Sequence, residues 1–395
     1  MKPSIRMLFA GCLLGALPGL AAASGFGLIE SNADGQGAAY AGSGAVADNA
    51  STIFFNPAGM TLLPGRQIVA SVHAIRFSAK FDDGNPATNN GGDAGDLSFV
   101  PNLYYAMPVN ANTWFGLGIN VPFGLKTEYD PNWVGRVYGI KSEMQTVNIN
   151  PSIGLRLSDR LSVGAGLNAM YIKAELTAAH PSLPVITKME GDDWGYGYNL
   201  GLLYEFDRDT RIGLSYRSTV RQKLEGKLSL SPALAADTPA SASVTLPDTL
   251  TLSGYKRLDA KWAVLADIAW TGWGKFQELK VVSNGGTTLS NTPEHWKNTL
   301  RYSVGAHYQL TEQTRLRMGL GFDESPVPSA QYRTVRIPDN DRTWLAFGFG
   351  HRLNKDDSID AAYSHIFVKD AAIDAPAGTY KSSVDIIGLQ YTHTF

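Results

Sequence analysis

The stretch LRYSVGAHYQL, residues 300–310, decides the fold class because apolar and polar residues alternate along its whole length. Leu, Tyr, Val and Ala fill the even positions, and Arg, Ser, Gly, His and Gln fill the odd ones. The next segment, residues 315–322, repeats the pattern with Leu, Met and Phe against Arg and Gly. A period of two over this length predicts β-strands with one apolar and one polar face. In a membrane barrel the apolar face points to lipid and the small or polar residues line the lumen, whereas in a soluble sandwich the apolar face points inward.

About fourteen segments of this kind run to the C-terminus, separated by clusters of Gly, Pro, Asn and Asp. We expect the strands to begin near these residues: Arg66, Asp96, Thr113, Glu143, Leu161, Trp194, Arg211, Ala242, Trp262, Asn298, Thr314, Asp341, Ser358 and Tyr380. Some connections are very short, as at 158–160 and 310–313, and others are long and polar, as at 82–95 and 324–340. An even strand number, with short turns at the periplasmic rim and long loops outside, is typical of bacterial outer-membrane barrels.

The composition also favours an all-β fold, and specifically a transmembrane antiparallel β-barrel. Only 18% of the residues are charged, 44% are hydrophobic and 41 are glycine. After residue 23 no apolar stretch is long enough for a transmembrane helix, which needs about 18 residues. The last strand alternates up to Phe395, as the final strands of outer-membrane barrels do. A β-sandwich with core aromatics is the alternative, but a closed sheet suits a lipid environment because lipid cannot hydrogen-bond an open edge.

Residues 1–23 resemble a secretory signal peptide. Lys2 and Arg6 precede an apolar stretch at 7–20, and three alanines at 21–23 provide the small residues of a cleavage site. We expect cleavage after Ala23. A membrane anchor, or a lipoprotein acylated at Cys12, are the alternatives. Cys12 is the only cysteine, so the mature chain would have none, as suits an exported protein without disulfides.

Residues 24–65 do not alternate, and 66–395 carry all the predicted strands. The N-terminal stretch is rich in Gly, Ala, Ser, Asn and Asp, which suit a compact plug whose backbone approaches other backbone closely. A lumen of about fourteen strands would otherwise be open. A disordered arm is the alternative, but Phe26, Tyr40, Phe54 and Phe55 make the segment too apolar for a free linker. We therefore expect a hatch at 24–65 inside a barrel at 66–395.

Several motifs together resemble the long-chain fatty acid transporter family, which also includes aromatic-hydrocarbon uptake channels. Asn56-Pro57-Ala58 follows the Gly/Ala-rich N-terminus and is similar to the hatch motif of that family. The stretches SGYKRLD at 253–259, FDESPVP at 322–328 and IPDNDR at 337–342 are similar to the same family. The three-residue motif alone is weak, but the combination is specific and covers the chain after residue 23 nearly from end to end.

The resemblance implies a passive outer-membrane transporter for a hydrophobic compound. Such a ligand is captured outside, passes into a lumen pocket and leaves sideways into the membrane where the third strand kinks. That kink falls at 121–125, on Pro122, Phe123 and Gly124. Elementary chemistry agrees, since proline cannot donate to the ladder and the glycine lets the backbone bend. A simple bulge without a role in transport is the alternative.

The resemblance also implies roles inside the hatch. Phe26 would reach into the pocket, Asn56 would anchor the hatch to the wall, and Pro57 and Ala58 would complete the turn beside it. Long-chain fatty acids are the expected ligands. The protein is expected to be a monomer whose partners are this ligand and the lipid of the outer membrane.

The positions that carry basic residues in fatty acid carriers of the family fall near Ala178 and Thr292, which are uncharged. Lys173, Lys188 or Lys297 are possible substitutes. A buried carboxylate without a basic partner is costly, so a neutral aliphatic or aromatic hydrocarbon is the alternative ligand.

No catalytic or metal motif stands out. The sequence GLSYR at 213–217 lacks the second glycine of a nucleophile elbow, and the seven histidines form no close pair. We expect no enzyme, no cofactor and no metal, with an outer-membrane lipase as the alternative class. The net charge of −2 gives no indication of nucleic acid binding.

Overall fold

The computed structural model describes residues 25–395, so the predicted signal peptide lies outside the described residues. Within them, no helix is both long and apolar enough to cross a membrane. The regular structure is almost entirely β-sheet, in agreement with the period-two alternation of the sequence.

Twenty strand segments form one antiparallel sheet in the described part of the chain. Their bounds are β1 Gln67–Asp82, β2 Leu97–Asn110, β3 Thr113–Asn120, β4 Gly124–Glu128, β5 Lys141–Arg156, β6 Leu161–Ala179, β7 Ile186–Glu205, β8 Thr210–Arg217, β9 Val220–Ser231, β10 Thr238–Leu246, β11 Thr249–Arg257, β12 Trp262–Thr271, β13 Glu278–Ser283, β14 Thr288–Pro293, β15 Thr299–Gln309, β16 Thr314–Asp323, β17 Arg342–Arg352, β18 Asp357–Val368, β19 Ala371–Asp374 and β20 Ala377–Thr394.

The sheet closes on itself. β1 pairs with β2 on one side and, from Gln67↔Thr394 to Asp82↔Thr379, with β20 on the other. Six of the barrel strands are split into two segments each (β3 with β4, β8 with β9, β10 with β11, β12 with β13, β14 with β15, β18 with β19), so the twenty segments make a barrel of fourteen strands. The predicted strand number is confirmed.

The apolar face of the barrel points outward. On β15, Tyr302 and Val304 are 42% and 57% exposed, whereas Ser303 and His307, at odd-numbered positions, are buried. The same alternation repeats on β16, where Leu320 is 53% exposed. This is the arrangement of a barrel in lipid and not that of a soluble sandwich, whose apolar face would be covered.

The two rims differ as expected. The short connections at 158–160 and 310–313 lie at the same rim as the start of β1 and the end of β20, which we call the short-turn rim. The connections at 83–96 and 324–341 lie at the opposite, long-loop rim. In outer-membrane barrels the short turns are periplasmic and the long loops are outside.

Residues 25–65, called the N-terminal segment below, pack against the inner wall. They contain the short helices α1 Ala33–Gln36, α2 Ser43–Val46 and α3 Thr52–Phe55 and a 3₁₀ helix at Pro57–Leu62. Wall glycines permit the contact: a Cβ on Gly213 would lie 2.0 Å from the carbonyl oxygen of Gly44, and one on Gly348 would lie 2.7 Å from the Cα of Gly37. Backbone therefore meets backbone with no side chain between them.

Candidate site inside the barrel

Two cavities lie in the lumen above the N-terminal segment. The inner cavity encloses about 1110 Å³, counting its opening to solvent, and its lining includes Phe54, Phe55, Pro122, Phe123, Arg217 and Trp273. The outer cavity encloses about 820 Å³ on the same basis, and its lining includes Leu125, Met144, Ile172, Leu224, Val244 and Phe276. Both are large and mostly apolar, which is the character of a pocket for a hydrophobic small molecule.

The side chain of Phe26 lines the outer cavity, while Gly27, Leu28 and Ile29 line the inner one. The ring is 3% exposed. It lies among four other aromatic rings, with centroid separations of 4.7 Å to Trp273, 5.5 Å to Phe276, 5.5 Å to Trp296 and 6.2 Å to Phe123. These spacings are typical of favourable aromatic pairs, so the cluster is a packed partition between the two cavities.

The third barrel strand is interrupted where the sequence predicts the kink. β3 ends at Asn120 and β4 begins at Gly124. Against β5, Asn120 lies opposite Asn148 but Gly124 lies opposite Gln145, so the third strand holds one extra residue. Among the strands of residues 25–395, β3 also pairs with β2, whereas β4 pairs with β5 alone. Residues 97–102 of β2 consequently have no partner strand on this side, and the wall has a gap.

The N-terminal segment lies against one edge of this gap. Leu28 N donates to the Pro122 carbonyl (2.8 Å), and Gly124 N donates to the Phe26 carbonyl (2.9 Å). Gly27 and Phe123 form an isolated antiparallel bridge between these two bonds. The structure thus brings four of the predicted site residues together, namely Phe26, Pro122, Phe123 and Gly124.

The other three predicted site residues lie elsewhere. Asn56, Pro57 and Ala58 line neither cavity. Asn56 is fully buried, and its Nδ2 donates to the carbonyls of Gly44 (2.7 Å) and Leu202 (3.0 Å). Its Oδ1 accepts from Ala58 N (3.1 Å). Because Leu202 belongs to β7, this one side chain ties two parts of the N-terminal segment to the wall.

Arg217 is a functional candidate that the sequence reasoning missed. It lines the inner cavity, where its Nη2 donates to the Phe54 carbonyl (2.9 Å) and its guanidinium lies 4.5 Å from the Phe54 ring centroid. Its Nη1 donates to Asn168 Oδ1. Among the described residues it forms no ion pair with a carboxylate. The signal was present, since Arg217 has the same inward phase on β8 as Gly213.

The lysines named as possible substitutes do not offer an unpaired cation to either cavity. Lys188 is paired with Glu175 (3.0 Å) and Glu190 (2.8 Å). Lys173 and Lys297 are exposed and line neither cavity. Two other charged residues of the inner cavity are engaged with the N-terminal segment: Asp267 accepts from Gly42 N and Ser43 Oγ, and Arg301 donates to the Ala39 carbonyl. Asp323 also lines this cavity.

Outside these cavities, the described residues contain no group of three or more His, Cys, Asp or Glu side chains that could hold a metal ion. Two histidines on the outer surface lie close to carboxylates: His365 Nδ1 is 2.8 Å from Asp385, and His393 Nδ1 is 2.7 Å from Asp357. Between residues 25 and 395, no serine hydroxyl is hydrogen-bonded to either ring.

Comparison with known proteins agrees with this geometry. A family model described as "Outer membrane protein transport protein (OMPP1/FadL/TodX)" matches residues 15–395. The chain belongs to this family. The OMPP1/FadL/TodX family consists of outer-membrane transport proteins, so the predicted resemblance and the outer-membrane location are both confirmed.

Relatives within the OMPP1/FadL/TodX family match along most of their length. The "Long-chain fatty acid transport protein" of Escherichia coli O6:H1 is 33% identical over 388 residues, 87% of each chain. The "47 kDa outer membrane protein" of Pasteurella multocida is 33% identical over 417 residues, 97% of this chain and 96% of that one. Among solved structures, a Pseudomonas aeruginosa FadL homologue superposes with a TM-score of 0.86 at 25% identity, covering 94% of this chain and all of that one. The Pseudomonas putida toluene transporter TodX, at 18% identity and a TM-score of 0.74, covers 94% of this chain and all of that one and shares the fold.

Proposed function

We propose that the protein carries long-chain fatty acids passively across the outer membrane. The observation that carries this proposal is Arg217, a guanidinium that faces a largely apolar cavity of about 1110 Å³ and has no carboxylate partner among the described residues. A fatty acid supplies both missing parts, a carboxylate for the guanidinium and an alkyl chain for the apolar walls. Charge-assisted hydrogen bonds of this kind contribute about 1.5–3 kcal/mol.

The apolar walls supply the rest of the affinity. Each methylene group moved from water into such a cavity contributes about 0.8 kcal/mol. The outer cavity lies nearer the long-loop rim, on the side from which an external ligand arrives. The relative from Escherichia coli O6:H1, at 33% identity, is named a long-chain fatty acid transport protein, which supports the same ligand class here.

We further propose that residues 24–65 act as a hatch and that release is lateral, through the gap beside the third strand. A ligand that moves from the outer to the inner cavity must displace the Phe26 ring from its aromatic neighbours. The main chain of Phe26 accepts a hydrogen bond from Gly124 at the gap. Movement of Phe26 by an entering ligand would therefore also act on the edge of the gap at Gly124. Both cavities and the gap belong to one chain, so a monomer suffices and no catalytic step is involved.

A neutral hydrocarbon is the second candidate ligand. The outer cavity favours this ligand, because its lining is almost entirely apolar. Of the three charged residues in that lining, Glu190 and Lys227 form an ion pair with each other, and the third is Glu143. On this alternative Arg217 serves only to hold Phe54 and Asn168 in place.

The test compares uptake of radiolabelled oleate and toluene by cells that lack their own carrier, with the wild type, Arg217→Gln and Arg217→Lys. We expect Arg217→Gln to lower oleate uptake about tenfold or more, from the loss of about 1.5–3 kcal/mol, and Arg217→Lys to restore part of it. Toluene uptake should be the same in all three. Oleate uptake that is unchanged in Arg217→Gln would refute the role of Arg217, whereas uptake of toluene without oleate by the wild type would favour the hydrocarbon alternative.

A further inference from the structure

A cationic patch lies on the outer surface of the barrel, and none of its residues lines either cavity. It consists of Arg76 and Lys80 on β1 and Lys381 on β20, all exposed. Lys80 lies directly opposite Lys381 in the β1–β20 ladder, and Arg76 lies opposite Asp385. Like charges directly opposite each other destabilise a sheet, so an anion bound between the two lysines would stabilise this part of the wall.

Two carboxylates lie beside the patch, Asp93 next to Lys80 and Asp385 opposite Arg76, and both are also hydrogen-bonded to other groups. Asp93 accepts hydrogen bonds from Ser78 Oγ (2.7 Å) and Ala79 N (2.8 Å). Asp385 lies 2.8 Å from His365 Nδ1 and accepts from the Tyr363 hydroxyl (2.7 Å). The three cations of the patch form no ion pair within residues 25–395. An anion from outside the described chain can therefore bind directly to the lysine pair.

The position of the patch along the strand sets its depth in the membrane. On β1, Ile68 lies opposite His393, which lies 2.7 Å from Asp357 at the short-turn rim. Lys80 follows twelve residues later on the same face. At about 3.3 Å per residue and a strand tilt of about 40°, this corresponds to roughly 30 Å along the membrane normal. The apolar band of an outer-membrane barrel is about 25 Å tall, so the lysine pair lies just beyond it on the long-loop side.

Below the patch the same wall is apolar. Val72 on β1 is 38% exposed, and Ile387 and Leu389 on β20 are 55% and 54% exposed. A molecule that covers this surface therefore meets alkyl groups along the wall and cations at its outer end. This surface is complementary in charge and polarity to a phosphorylated lipid that lies against the barrel.

We propose that the β1–β20 wall binds a phosphorylated lipid of the outer leaflet, with a phosphate group between Lys80 and Lys381. Arg76 lies four residues before Lys80 on the same face, about 13 Å along the strand at about 3.3 Å per residue. It is placed for a second phosphate group, since guanidinium binds phosphate in bidentate fashion. The acyl chains lie over Val72, Ile387 and Leu389. The site is separate from both cavities and does not depend on which ligand the lumen carries.

The experiment uses the full protein purified in detergent, with lipid A carrying two phosphates as the probe and the same lipid after enzymatic dephosphorylation as the comparison. Native mass spectrometry counts the lipids retained by the wild type and by the double variant Lys80→Gln/Lys381→Gln. The matched control is Arg221→Gln/Lys280→Gln, which removes two exposed cations elsewhere on the barrel. We expect at least tenfold weaker retention of the phosphorylated lipid by the patch variant, wild-type retention by the control, and weak retention of the dephosphorylated lipid by all three.

A second measurement keeps the proposal testable if retention is difficult to quantify. In detergent without lipid, Lys381→Gln should raise the Tm because it removes a like-charge contact, and with the phosphorylated lipid it should lower the Tm relative to the wild type. Equal retention by patch and control variants, or a Tm change of the same sign in both conditions, would overturn the proposal. So would a change of oligomeric mass in the patch variant without a change in bound lipid, which would assign the surface to a second copy of the chain.

Discussion

Replacing Asn56 by alanine should loosen the N-terminal segment without unfolding the barrel. The substitution removes the two hydrogen bonds from Nδ2 to Gly44 and Leu202 and the one that Oδ1 accepts from Ala58. Asn56 is fully buried, so its partners have no solvent to turn to. A buried polar group left without a partner costs about 1–3 kcal/mol, and three such groups give a loss on the order of 3–9 kcal/mol in the local stability of the segment.

Hydrogen exchange measures this loss directly. Local opening that becomes easier by about 3 kcal/mol exposes the amides of residues 25–65 roughly a hundredfold more often. Mass spectrometry of the purified protein should therefore show faster exchange in that segment and unchanged exchange in the strands. The proposed transport role adds a second readout: single-channel recordings in bilayers should show more frequent open events in Asn56→Ala than in the wild type.

The matched control is Asn150→Ala. Asn150 is also fully buried, and its Nδ2 donates to Leu167 (2.8 Å) and Asn199 (2.9 Å), both on the wall. It should leave exchange in the N-terminal segment at the wild-type rate. If residues 25–65 exchange equally fast in both variants and in the wild type, the anchoring role of Asn56 is refuted.

Three further predictions address the cavities, the gap and the outer loops. Phe26→Ala removes the 3%-exposed ring between the cavities, at a packing cost of about 3–5 kcal/mol, and should speed uptake of a small neutral solute such as toluene while weakening retention of oleate. Pro122→Ala restores a backbone donor at the edge of the gap and should lower oleate uptake while oleate binding to the purified protein stays at the wild-type level. Burial raises the pKa of Glu294 from 4.5 to about 8, against the hydrogen bond that it accepts from Trp296. The stabilising contribution of the neutral form is therefore complete below pH 4.5 and is lost as the pH rises through about 8. Wild-type stability in thermal unfolding should therefore fall over this window by a few kcal/mol more than that of Glu294→Gln, on the order of 1.4 kcal/mol per unit of pKa shift.

The strands could be predicted because alternation reports directly which side chains face lipid. The stretch at 300–310 gave β15 at Thr299–Gln309 to within a residue. The predicted start of a strand lies too far along the chain where the strand extends beyond the membrane. β7 begins at Ile186, eight residues before the expected Trp194. The alternation did not reveal this start because the first residues of the strand include Lys188 and Glu190, polar side chains that pair with each other instead of facing lipid.

The interior of the site could be predicted only in part. Phe26 and the kink residues were identified through the resemblance, but nothing local says that Phe26 meets Trp273 and Trp296 about 250 residues later in the chain. Arg217 could have been recognised as inward-facing from its phase on β8, but that it faces a cavity depends on where the N-terminal segment packs. Periodicity gives the orientation of a side chain, whereas cavities arise from contacts between distant segments.

The proposed release step must balance two energies at Phe26. Its ring is buried among aromatic neighbours, and full burial of a phenylalanine side chain contributes about 1.5–3 kcal/mol. The two main-chain hydrogen bonds that join residues 26–28 to Pro122 and Gly124 add about 0.5–1.5 kcal/mol each. Against this total of roughly 3–6 kcal/mol, each methylene of a ligand contributes about 0.8 kcal/mol. A chain must therefore bury about four to eight methylenes to displace the ring and free the edge of the gap, which long-chain fatty acids exceed and the shortest do not. The partition formed by Phe26 would thus select for chain length before Arg217 in the inner cavity is reached.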